Sequence, residues 1–298
     1  MRHLILLFTI LVILFNAAGE PWEQVKKNQV RMGYNLSTPD KIYQLPQVLY
    51  EISGVTAIDT STLACIQDEN GIVFFFDINT GKVVRRLVFG TGGDYEDVAC
   101  AGKSLYVVRS DALLIKIENF ASGDFDAYGF TLNLPGSNIE GICYDKWNNR
   151  LLVVPKKQSY DDADRKGRLF IYAFDPVIGK MMPEPAYRLD IRQVERFAVT
   201  NGIKFPMKGK KGGKKKPDVS INISAIAIHP VTNRLYLLAS KERLLLVIDS
   251  NSNIEYLKRL NKKLYPQPEG ITFILNGDMF ISNEGTTGTA TLLRFSHK

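Results

Sequence analysis

Apolar residues in this chain fall in short runs separated by Gly, Asn and Asp turns, and one strand–turn–strand arrangement keeps returning. Its clearest copy runs from Asn138 to Val154: Asn-Ile-Glu-Gly-Ile-Cys-Tyr-Asp, a turn through Lys146-Trp-Asn-Asn149, then Arg-Leu-Leu-Val-Val. Pro268 opens a second copy, Pro-Glu-Gly-Ile-Thr-Phe, followed by a turn at Asn276-Gly277-Asp278 and Met-Phe-Ile-Ser. Asn222 opens a third, which turns through Pro230 to Asn233 into Arg-Leu-Tyr-Leu-Leu. Looser copies begin at Asp94 and Glu51. Ser53, Glu96, Glu140, Ser224 and Glu269 hold the equivalent position, at spacings of 43, 44, 84 and 45 residues. A period of about 40–50 residues with several strands per unit marks a propeller blade.

Each unit carries signals for four strands. The first continues past Cys65 to the hairpin turn Asp68-Glu-Asn-Gly71, then Ile72 to Phe76, the turn Asp77-Ile-Asn-Thr-Gly81, and Lys82 to Phe89. The expected fold is therefore all-β, a β-propeller of five blades with four antiparallel strands each. The doubled spacing leaves six blades as the alternative. Two polar insertions, 156–166 and 190–217, account for it better, because no strand–turn–strand core lies between Asp190 and Val219. Ile191 to Val199 reads as a short helix, and the Lys-rich loop 208–216 as a disordered segment. A strand near Tyr43 is expected to pair with Thr291–Phe295, so that one terminus completes the blade formed by the other and removes an open edge.

The first 19 residues stand outside that domain. Arg2 and His3 precede an apolar run from Leu4 to Phe15, and Ala17-Ala18-Gly19 supplies small residues for cleavage, which reads as a signal peptide. The run is shorter than the roughly 20 residues a spanning helix needs. An exported protein follows, periplasmic or secreted, and membrane-anchored if the segment is not removed. Residues 20–42 form a polar lead-in, and 43–298 the propeller.

Charge and cysteines change this picture little. The formal charge is +7, but Lys208, Lys210, Lys211, Lys214, Lys215 and Lys216 carry most of it. That tract could meet an anionic partner, yet blocks of like charge are usually solvated. It has no interleaved aromatic residues, which argues against a nucleic-acid partner. Cys65, Cys100 and Cys143 are an odd number without Cys-x-x-Cys spacing, and each sits in an apolar strand, as structural thiols do.

The repeated units resemble the SdiA-regulated family of bacterial exported or membrane-anchored propellers, itself distantly similar to NHL-repeat proteins. The resembling residues are Ile52-Ser-Gly-Val-Thr-Ala-Ile-Asp59, Tyr95-Glu-Asp-Val-Ala99, Ile139-Glu-Gly-Ile-Cys-Tyr-Asp145, Ser224-Ala-Ile-Ala-Ile228, and Pro266-Gln-Pro-Glu-Gly-Ile271 with Ile281-Ser-Asn-Glu284. The likeness runs from about Leu45 to Phe295. It implies a five-bladed propeller with a bound calcium ion as a shared feature, and no particular reaction. The lysine tract and the long third-blade insertions depart from the family.

First strands of successive blades line one channel, so the equivalent positions should converge on a ring: Glu96, Glu140 and Glu269, with the hydroxyls of Ser53 and Ser224 between them. Carboxylates brought together raise one another's pKa unless a cation joins them. Six to eight oxygen ligands in loose geometry suit Ca²⁺ better than Mg²⁺. Glu284, at the end of a second strand, is a further candidate; Asp97 and Asn138 come after it. A Glu before Gly can also simply accept turn amides. Asp161, Asp162 and Asp164 read as a solvated turn, since Lys166 and the lack of a closing Glu spoil a calcium loop.

The function expected from these features is a calcium-binding ligand or partner module at the cell envelope, monomeric, with an unidentified envelope or extracellular ligand and no catalytic residues. The alternative is a propeller hydrolase, glycosidase- or lactonase-like, using the channel carboxylates. Matched repeats predict like environments for the three glutamates, whereas acid–base work needs unlike ones. His229, before Pro230, reads as a local hydrogen-bonding residue.

Overall fold

Every one of the repeated units becomes the inner hairpin of a blade. The computed structural model describes residues 29–158, 167–205, 207–209, 215–217, 221–286 and 288–298, and shows five antiparallel blades. Residues 1–19, read above as a signal peptide, and Asp161, Asp162 and Asp164 lie outside the described residues.

Blade one comprises Ile52–Ala57, Thr62–Gln67, Asn70–Asp77 and Lys82–Gly92, and blade two Tyr95–Ala101, Ser104–Arg109, Leu113–Glu118 and Asp126–Thr131. Blade three has Ser137–Asp145, Arg150–Lys157 and Arg168–Asp175; its fourth strand is split into Lys180–Met181 and Tyr187–Asp190, which pair with opposite ends of the third. Blade four runs Ala225–Ile228, Leu235–Ala239, Leu244–Ile248 and Ile254–Arg259. Blade five takes Pro268–Phe273, Met279–Asn283 and Thr291–Phe295 from the C-terminus and Lys41–Gln44 from the N-terminal side, in register Tyr43 with Leu292. The expected closure is thus present. The innermost strands neighbour one another in a closed ring.

Blades bury both faces, which is why their central strands read as unbroken apolar runs such as Leu244–Ile248. Along each strand alternate side chains enter opposite interfaces. Leu63 and Cys65 pack toward blade five, while Ala64 and Ile66 pack toward blade two. One apolar cluster fills each blade–blade interface. All three cysteines are free thiols; Cys65 is fully buried, and burial pushes its pKa up to about 12.

Three details differ from the sequence reading. The second strand of blade three extends to Lys157, so Lys156 is strand and the insertion begins after it. Strands Met207–Gly209 and Lys215–Pro217 pair as a hairpin inside the stretch read as disordered. The lead-in, read as polar, also buries apolar side chains: Met32 and Leu36 are buried against blades four and five, and the Tyr34 hydroxyl lies 2.8 Å from His229 Nε2 while donating to the Gly277 carbonyl. His229 Nδ1 accepts the Val231 and Thr232 amides, the local role expected of it. Burial lowers its pKa to about 4. The helix Ile191–Thr200 forms as expected, capped by Asp190, whose carboxylate accepts the Arg192 amide at 2.8 Å, and seats Val194 and Ala198 on the core between blades three and four.

Candidate functional site

The predicted ring positions share a backbone cause. In blades one, two, three and five the pairing of first and second strands slips by one residue, and the residue left over is Ser53, Glu96, Glu140 or Glu269. Each is a β-bulge, which bends the strand and re-aims the extra side chain. In blade four, Ser224 donates its amide to the Leu238 carbonyl at 2.8 Å although Leu238 already pairs with Ala225. The bulges therefore turn the start of all five inner strands toward one mouth of the channel.

The residue after each bulge explains the Glu-Gly pattern. A Cβ on Gly54 would lie 2.6 Å from the Asp97 Cα, and one on Gly270 would lie 2.9 Å from Val55 Cγ1. Adjoining inner strands approach too closely there for a side chain. Asp97 holds this position in blade two and is fully buried. Its carboxylate accepts the Val98 amide at 2.8 Å and the Ile142 amide at 2.9 Å, and the Val55 amide also reaches it. Inner-edge amides have no further strand to pair with, so one carboxylate binds blades one, two and three around the channel. Burial pushes the Asp97 pKa well up, against the pull of those amides. It serves the fold rather than a ligand set.

A second ring of mouth residues follows from the same registers. The position one residue past the partner of the residue before each bulge is Asp68, Ser110, Lys156 and Glu284, and Ser240 stands there in blade four. Only Glu284 is among the sequence candidates. Lys156 Nζ lies 2.5 Å from Glu140 Oε1, and the Ser240 hydroxyl donates to Glu269 Oε1 at 3.0 Å. Gln267 donates its amide to Glu284. The Ser224 hydroxyl is turned back to the backbone, donating toward the Leu238 carbonyl at 3.3 Å and accepting the Ser240 amide at 3.2 Å. A pocket of about 330 Å³ opens here, lined by Glu140, Lys156, Ser240, Arg243, Gln267 and Glu269 among others.

The three glutamates are brought together electrically and differ in state. Burial, then the charges of Glu140 and Asp94, push Glu96 up to about 8. Glu269 rises to about 7, mainly by burial, with the hydrogen bonds from Ser240 and Gln267 opposing. Glu140 instead carries the Lys156 ammonium. Burial alone would lower the Lys156 pKa, but the hydrogen bond to Glu140 and the charges of Glu140, Glu96 and Glu269 raise it overall. Like environments, expected from matched repeats, are not found: the second ring differs from blade to blade. Glu284 sits in a neighbouring acidic group, raised by burial and by Asp68 and Glu51. Asp68 is raised in turn by burial and by Glu51.

No three His, Cys, Asp or Glu side chains among the described residues converge closely enough to hold a metal ion. The donor chemistry nonetheless suits a hard cation. On blades one and five, the buried oxygens Ser53 Oγ, Asp68 Oδ1, Ser282 Oγ and Asn283 Oδ1 have no hydrogen-bond partner. Asp68 and Glu284, whose carboxyls are raised by burial and then by neighbouring acids, stand on the same two blades, and oxygen donors of this kind are what calcium takes.

The SdiA-regulated family model matches residues 189–287, a stretch that takes in blade four and most of the C-terminal part of blade five. The family signature read from the sequence is thus present there, on a five-bladed propeller. No curated protein matches the chain significantly. Among solved structures, the glutaminyl cyclase of Myxococcus xanthus is 12% identical over 87% of this chain and 94% of its own, with a TM-score of 0.57. U3-55K is 10% identical over 87% of this chain and 100% of its own, with a TM-score of 0.50. At such identities the likeness is one of fold.

Proposed function

We propose that this chain is an exported propeller module that binds a cation, calcium by donor type, at the bulge-lined mouth, and presents the pocket beside it to a polar ligand of the cell envelope. The observation that carries this reading is that blades one and five hold partnerless buried oxygens, Ser53 Oγ, Asp68 Oδ1 and Ser282 Oγ, while Glu284 feels the charge of Asp68 and Glu269 that of Glu284. Glu269 couples to both Glu140 and Glu284, so it belongs to both halves of the mouth. Glu269, Glu284 and Asp68 do not yet converge on one point, and the ion would draw them in, with the Ser53 hydroxyl, backbone carbonyls and water completing an oxygen shell. Lys156 already supplies one fixed positive charge on the Glu140 side.

A thermal melt after chelation tests the idea. A ligand at 100 times its Kd adds about 2.7 kcal/mol to folded stability. Calcium should raise the midpoint by several degrees, magnesium by less, and Glu269→Gln should remove most of the rise. An equal response in wild type and Glu269→Gln would sink the assignment.

One observation favours a second reading. Glu96 and Glu269 hold protons near neutral pH while Glu140 is ion-paired, the unlike pair that hydrolytic acid–base work needs. Turnover of a glycoside or lactone that survives calcium removal and is lost in Glu96→Gln would move the function there.

A further inference from the structure

The opposite end of the channel has different chemistry. Inner strands run from the polar mouth to a pocket of about 170 Å³ at their C-terminal ends. Each blade gives one β-branched residue to its floor: Val55, Val98, Ile142, Ile226 and Ile271. Ala57, Cys100, Ile228 and Phe273 form the wall. Two of the polar groups there are engaged within the fold: Thr272 Oγ1 accepts the Ala57 amide at 3.0 Å and the Cys143 thiol meets the Ile228 amide. No carboxylate lines this pocket, and its one lysine is Lys146.

Lys146 is exposed at the rim, its ammonium 3.3 Å from the Pro230 carbonyl and 4.9 Å from the centre of the Trp147 ring. The first-hairpin turns of blades three, four and five add an apolar fringe: Trp147 is 55% exposed, Val231 60% and Leu275 67%. Other apolar side chains are exposed elsewhere, Val177 and Val199 among them, but these three stand at successive turns around one opening.

We propose that this pocket binds a small aromatic carboxylate, its ring on the five-residue floor and its carboxylate on Lys146. Volume sets the ring: an apolar cavity of about 150 Å³ accepts one benzene. The five aliphatic floor residues favour an apolar body. Charge complementarity sets the other end, because a carboxylate would meet an ammonium whose contacts here are a carbonyl and a ring face. The site is separate from the polar mouth, with Asp97 bonded across the channel between them.

The cysteines report occupancy. Cys100 and Cys143 line the pocket, whereas Cys65 lies in the core between blades five and one. Burial pushes Cys100 up to about 11, so alkylation of the folded full chain is best followed at about pH 9, residue by residue, by mass spectrometry. Saturating 3-phenylpropionate should slow Cys100 alkylation roughly tenfold or more and leave Cys65 unchanged. Lys146→Met should weaken that protection roughly tenfold, the loss expected for one charge-assisted hydrogen bond, and should leave protection by uncharged benzyl alcohol intact. Ala57→Leu, which fills the pocket, should abolish protection by both probes while the far-ultraviolet spectrum and melting midpoint show the fold kept. Absence of protection by either probe would overturn the site. Protection by 3-phenylpropionate that Lys146→Met leaves unchanged would overturn the carboxylate assignment.

Discussion

Replacing Asp97 with alanine should destabilise the propeller by about 3–5 kcal/mol. Its carboxylate takes the inner-edge amides of Val98 and Ile142, with Val55 also in reach. A buried donor left without its acceptor costs about 1–3 kcal/mol, and here up to three lose theirs together. Asp97→Asn keeps one acceptor oxygen but aims an amino group at an amide donor, so about half the loss is expected. Urea unfolding measures this directly, as a lower midpoint at unchanged slope. A loss within about 1 kcal/mol for alanine would mean that water replaces the carboxylate, and the three blades would not depend on it.

Lys156→Met should do two opposite things. Without calcium it removes the ammonium 2.5 Å from Glu140 and places Glu96, Glu140 and Glu269 in mutual repulsion. Breaking a buried pair from one side costs about 3–5 kcal/mol; Lys156 is 40% exposed, so about 1–3 is the scaled expectation. With calcium the loss should be recovered, because the ion takes over the counter-charge. The calcium-dependent rise in melting midpoint should therefore be larger in Lys156→Met than in wild type. An unchanged rise would show that the ammonium and the ion do not share the ring.

The blade repeat was legible because its period is enforced by geometry. A strand–turn–strand core must recur to close the ring, and its bulge residue recurs with it as Ser53, Glu96, Glu140, Ser224 and Glu269. Other features have no such echo. Lys156 stands beside Lys157 at the head of a polar segment, so it reads as loop, yet Lys157 pairs with Ser137 and keeps both in the strand. The second mouth ring, Asp68, Ser110, Lys156, Ser240 and Glu284, shares a register but no residue type. It shows only once the register is known, because each member lies one residue past the partner of the residue before the bulge. Asp97 looked like a neighbour of Glu96, whereas it stands where other blades keep Gly or Ala, and only the inter-strand distance shows why. Met32, Tyr34 and Leu36 follow no period, because the lead-in lies across blades four and five rather than within a sheet.

Two pH effects follow with definite sign. Glu96 and Glu269 bind protons more tightly folded than unfolded, so their contribution to stability is full at low pH and declines as pH rises through about 7 to 8. His229 acts the other way, its contribution falling as pH drops from about 6.5 toward 4. The metal-free protein should thus gain stability from pH 8 to 6.5. Calcium competes with the same protons and should bind more tightly at pH 8 than at pH 6.

Equilibrium dialysis of the chelator-treated protein against labelled calcium is the most direct test of the proposed cation mouth. One ion per chain, bound more tightly at pH 8 than at pH 6 and lost in Glu269→Gln with Glu284→Gln, is the result expected from the mouth described above. No bound calcium at millimolar concentration, or binding that the double substitution leaves intact, would contradict it.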